Sequence, residues 1–188
     1  ISNYSWTIVL LLSASSGAGL WIWQATIHAI PEYSKNGHHS VILEAFAIVN
    51  PEALSPWQGS VRLPFKWDAF HPKHSGKALF EIILPAVDPS HPHALHLPRV
   101  GNQATVRDSK GNVLANWGDL NDSSFDSTRL PRIVYLNRTA LEAGKLVIEI
   151  SAQSARSGGL GVIRFGPTSE IRKNFDWLYK WRVYGSLV

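Results

Sequence analysis

Hydrophobic and polar positions alternate with a period of two through much of this chain. Val61, Leu63, Phe65 and Trp67 alternate with Arg62, Pro64, Lys66 and Asp68, so an extended segment there has one apolar and one polar face. Leu146, Ile148 and Ile150 alternate with Val147, Glu149 and Ser151 in the same way. Further strands are predicted at 41–49, 78–84, 132–136 and 161–165. The segments 103–107 and 113–117 flank the turn-forming run Asp108-Ser-Lys-Gly-Asn112 and predict a hairpin. Thr139 is placed to cap a short helical turn over 139–142. About eight short strands, punctuated by Pro and Gly and without a long helical period, predict an all-β fold. Its expected form is an antiparallel two-sheet jelly-roll sandwich.

The pattern changes completely near the start. No Asp, Glu, Lys or Arg precedes Glu32, so all 18 basic and 14 acidic residues fall in 32–188. Trp6 to Ile30 is an uncharged, largely apolar run, long enough to cross a bilayer, with tryptophans toward both ends. It predicts a transmembrane anchor helix over residues 1–31, ended by Pro31. A cleaved secretory signal and a buried soluble helix are the two competing readings. Ser13, Gly17 and Gly19 belong to a small-residue stretch that would let another helix approach closely.

The last residues interleave Phe175, Trp177, Tyr179 and Trp181 with Lys173, Lys180 and Arg182. That mixture suits the boundary between water and lipid, although a helix docked on the domain accounts for it too. The expected organisation is therefore an anchor over 1–31, an extracytoplasmic β-sandwich over 32–170 and an interfacial aromatic segment over 171–188. A chain that opens on Ile1 and contains no Met is expected to be part of a longer polypeptide.

Composition narrows the function. Hydrophobic residues make up 45% and charged residues 17%, which argues against disorder. A net charge of +4, spread along the chain, is no basic stripe, and nucleic acid is not an expected partner. The absence of Cys excludes disulfides, thiolate metal sites and cysteine nucleophiles.

The order of several segments carries a resemblance. They are Trp57 to Trp67, Gly76-Lys-Ala-Leu-Phe80, Leu97-Pro-Arg-Val-Gly-Asn102, Asp108 to Leu114 and Leu141 to Ile150. Over about residues 55–170 the chain resembles the galactose-binding-like jelly roll found beside beta-galactosidase catalytic domains. It is similar, more closely, to the periplasmic sensor domains of bacterial multi-pass membrane receptors of the diguanylate cyclase and histidine kinase type. The run from Gly158-Gly159 to Gly166-Pro167 resembles the way those domains close before the membrane. The resemblance implies a ligand-binding domain in the periplasm, attached to the bacterial inner membrane, taking part in signal transduction.

Candidate chemistry is sparse. His71, His74, His91, His93 and His96 are of the right type for zinc or copper, but they lie in Pro-rich sequence and read as loop histidines; no metal is expected. There is no nucleophile elbow, no His-Glu-x-x-His and no phosphate loop, and Gly158-Gly-Leu-Gly161 reads as a turn or bulge. No enzyme activity and no cofactor are expected. A binding site would stack a small polar ligand, such as a carbohydrate, on an aromatic ring while polar groups fix its hydroxyls. The candidates are Trp67, Asp68, Arg99, Asn102, Trp117 and Asp119. The alternative expectation is an accessory subunit of a membrane protein complex, docked by the anchor and covering a partner with the sandwich.

Overall fold

The computed structural model describes residues 39–120, 126, 130–154 and 156–184. The expected anchor over 1–31, with Ser13, Gly17 and Gly19, lies outside them. Among the described residues no helix is long and apolar enough to cross a membrane.

The described part is an antiparallel β-sandwich. Its large sheet has six strands: β2 (Glu44–Pro51), β3 (Trp57–Arg62), β5 (Gly76–Ile83), β7 (Gln103–Asp108), β8 (Val113–Trp117) and β10 (Lys145–Ala152). They run in the order β3-β2-β5-β10-β7-β8. The smaller sheet has four: β1 (Ser40–Ile42), β6 (His93–Leu97), β9 (Arg132–Tyr135) and β12 (Ile163–Pro167), in the order β1-β12-β6-β9. A two-residue pair, β4 (Phe65–Lys66) with β11 (Gly159–Leu160), closes one end.

The period-two pattern drives this arrangement. Ala45, Ala47 and Val49 of β2 point inward, as do Ala78, Phe80 and Ile82 of β5 and Leu146, Ile148 and Ile150 of β10. Ile42, Leu95, Leu97, Val134, Ile163 and Phe165 come from the smaller sheet, and both sheets contribute to one buried cluster. Removing these side chains from water is the main favourable contribution to folding.

Several boundaries differ from the expectation. The segment 41–49 is two strands in different sheets, because Leu43 separates β1 from β2 and the chain changes sheet there. The segment 61–67 is not one strand either. β3 ends at Arg62, β4 is two residues long, and a short helix α1 (Trp67–Phe70) follows. The alternation nonetheless keeps its meaning, since Leu63, Phe65 and Trp67 are all buried. β6 lies in the histidine-rich stretch expected to be loop, and all five of its residues are buried.

Helix α2 (Arg138–Ala143) is capped by Asn137, not Thr139. The Asn137 side chain accepts a hydrogen bond from the Ala140 N–H at 2.8 Å, and Gly144 ends the helix in the left-handed region. The C-terminal segment forms a 17-residue helix, α3 (Thr168–Tyr184), that packs on β6, β9 and β12. Ile171 is fully buried in this contact, and the Phe175 ring meets His96 edge to face at 6.0 Å. Trp177 remains 52% exposed.

Candidate functional site

Four of the six expected site residues surround one short segment, Gly158 to Gly161. The Trp67 N–H donates to the Gly158 carbonyl at 3.1 Å, and the Gly158 N–H donates to Oδ2 of Asp68 at 3.3 Å. The Gly101 N–H, next to Asn102, donates to the Gly159 carbonyl at 2.7 Å, and the Gly161 N–H donates to the Arg99 carbonyl at 2.8 Å. Gly159 adopts φ +123°, and a Cβ there would collide with the carbonyl oxygen of Phe65. The glycine run is thus a tightly held crossing between α1, β4 and the turn before β7.

Burial separates the candidates here. Trp67 is completely buried and donates through Nε1 to the His74 carbonyl at 2.7 Å. A ring inside the core presents no face to a ligand. Asn102 is also buried. Its Oδ1 accepts from the Gln153 N–H at 2.8 Å, and its Nδ2 donates to Oδ1 of Asp126 at 3.1 Å. Asn102 therefore ties β10 to the segment that follows β8, and its side chain is committed inside the fold. Asp68 and Arg99 are exposed at this end of the sandwich.

Trp117 and Asp119 lie apart from that crossing. Trp117 ends β8 opposite Ala104, two residues along from Asn102. It is half-buried, and the Arg132 guanidinium lies 5.6 Å from its ring centroid. Arg132 is held below the usual arginine value by burial, with Tyr179 acting in the opposite direction. A cation over one face of an indole holds the ring in place and polarises it. Asp119 follows on the exposed connection after β8. Sequence alone offered no sign that Arg132, on another strand, reaches Trp117.

The histidines separate into distinct settings. His71 accepts from Nε1 of Trp57 at 3.2 Å and sits 4.9 Å from the Trp67 ring. Burial, then the neighbouring His74, holds its imidazole below the usual value. His96 is fully buried under α3.

His91 and His93 line an open cleft of about 540 Å³ with Asp88, Pro92, Pro167 and Thr168 at the start of α3. His91 Nδ1 pairs with Oδ2 of Asp88 at 3.1 Å, and His93 Nδ1 donates to the His91 carbonyl at 2.8 Å. Asp88 is held below its usual value mainly by the Ser90 N–H. Among the described residues, no group of three or more His, Asp or Glu is placed to hold a metal ion.

No protein-family model matches the chain, and no curated protein matches it. Among solved structures, the chain is similar to the native structure of a family 35 carbohydrate binding module from Clostridium thermocellum. The two are 14% identical, with 69% of this chain and 98% of that chain covered and a TM-score of 0.30.

Proposed function

We propose that this sandwich is the non-catalytic, ligand-recognising input domain of a bacterial membrane receptor, held on the periplasmic side of the inner membrane. The observation that carries this is the register of Ser40 opposite Phe165. The strand that brings the chain in lies beside the strand that leads out into α3. Both connections therefore leave from one end of the smaller sheet. α3 then crosses the sheet, and in this reading the apolar run at 6–30 is the membrane segment that precedes the domain at its entrance.

The ligand in this reading is small and polar, carbohydrate-like, and stacks on the open part of Trp117. Asp119, exposed two residues after Trp117, supplies orientation. The test combines location and binding. Added protease should reach residues 40–170 in spheroplasts. A glycan and metabolite panel should yield a ligand whose affinity falls in Trp117→Ala while the fold is retained. A protease-protected domain overturns the location, and a panel without any ligand overturns the recognition role.

A second reading, an accessory subunit of a membrane complex, draws on the outer face of the large sheet. Phe46, Ile48 and Ile83 are exposed there, a large apolar outlay for a free surface. That reading expects a stoichiometric membrane partner to co-purify with the full chain.

A further inference from the structure

The outer face of the smaller sheet, on the side where α3 packs, carries a row across four strands: Val41, Arg164, His96 and Ile133. His39 lies two residues before Val41 and so projects from the same face, diagonal to Arg164. A sheet face covered by a helix is ordinarily apolar, and here its centre holds a guanidinium and two imidazoles.

Arg164 is half-buried, and among the described residues its side chain makes no hydrogen bond and no ion pair. Burial holds its guanidinium below the usual arginine value. Among the described residues, His39 Nδ1 is buried without a hydrogen-bond partner. Its imidazole is held below its usual value by burial first and by Arg164 second, with Glu170 acting the other way. Glu170 lies close enough to act on His39, and its carboxylate also meets Lys173 at 3.3 Å. Desolvating a cation without a counter-charge is unfavourable, and among the described residues no carboxylate is paired with Arg164.

We propose that Arg164 and His39 together receive an oxyanion, the carboxylate or phosphate group of a ligand, at the root of α3. The guanidinium fork matches two oxygens of such a group, and the imidazole adds a charge-assisted donor when protonated. An occupant there would touch β1, β12 and the first turn of α3 together. This site is separate from Trp117 and does not depend on the ligand proposed for it.

Calorimetric titration of the full 188-residue chain tests this with three probes: inorganic phosphate, succinate, and vesicles containing phosphatidylglycerol. Saturable binding of phosphate or succinate is expected, weakened at least about tenfold in Arg164→Gln and in His39→Gln. Response to the vesicles alone, with the same loss in both variants, assigns the oxyanion to a lipid headgroup and supports the site. Binding should tighten as pH falls from 7.5 to 5.5. His39 gains its proton in that direction, facing Arg164 from β12, His96 from β6 and Glu170 with Lys173 from α3. If Arg164→Gln fails to fold, His39→Gln still decides, since it leaves the guanidinium in place. Absence of binding by all three probes overturns the proposal, as does binding left unchanged in His39→Gln.

Discussion

The indole Nε1 of Trp67 donates to the carbonyl oxygen of His74 at 2.7 Å from a ring with no exposed surface. This single contact joins the two ends of the short excursion between β4 and β5. It makes Trp67 the point where the core satisfies the carbonyl of a part-buried loop residue.

Trp67→Ala should therefore cost about 3–5 kcal/mol of folding stability, as large-to-small changes in cores do. Trp67→Phe keeps most of the apolar volume but strands the His74 carbonyl, and should cost about 1–3 kcal/mol. Urea unfolding of the two variants measures both. Normal stability in Trp67→Ala would show that the ring is not a core element.

Gly159 is expected to tolerate no side chain. Its φ of +123° excludes L residues, and a Cβ would meet the Phe65 carbonyl oxygen. Gly111 also has positive φ, yet nothing lies within 4 Å of a Cβ there. Gly111→Ala should cost about 1 kcal/mol. Gly159→Ala should cost clearly more, because backbone must move. Equal melting temperatures for the two variants would contradict the crossing described at Gly158 to Gly161.

Stability should fall on mild acidification through His71. Its folded-state value lies below that of the unfolded chain, where an exposed imidazole titrates near about 6.5. The unfolded state then binds the proton more readily, so the contribution is complete above that value and is lost as pH falls toward the folded value. Melting temperatures recorded between pH 8 and 5 should decline. The decline should be shallower in His71→Phe. An unchanged slope in that variant would remove His71 from the account.

Ile171 is the buried anchor of α3. Ile171→Ala should cost about 2–4 kcal/mol and release the helix before the sandwich melts. Amide hydrogen exchange reads this directly, with faster exchange over 171–180 and little change in β10. Uniform acceleration across the whole domain would mean that helix and sandwich unfold as one unit.

The period-two alternation at 146–150 and 61–67 determined, without any structure, that the domain is built of strands with one buried face. It also placed Phe65, Ile148 and Ile150 on that buried face. The Asp108 to Asn112 hairpin was equally legible. Its turn chemistry is local, and the Asp108 carboxylate does accept the N–H groups of Lys110 and Asn112. What the sequence could not determine is long-range. Whether Trp67 faces a ligand or the core depends on packing against elements far along the chain, as does the joining of Asn102 to Gln153 across 51 residues. A tryptophan and an asparagine beside polar loop residues look the same in either case, because burial is a property of neighbours supplied by other strands. Arg164 shows this most clearly. Its alternation marks it only as outward-facing, and the tertiary structure alone decides that outward, on that sheet, means beside His39 and His96 on the side where a helix packs.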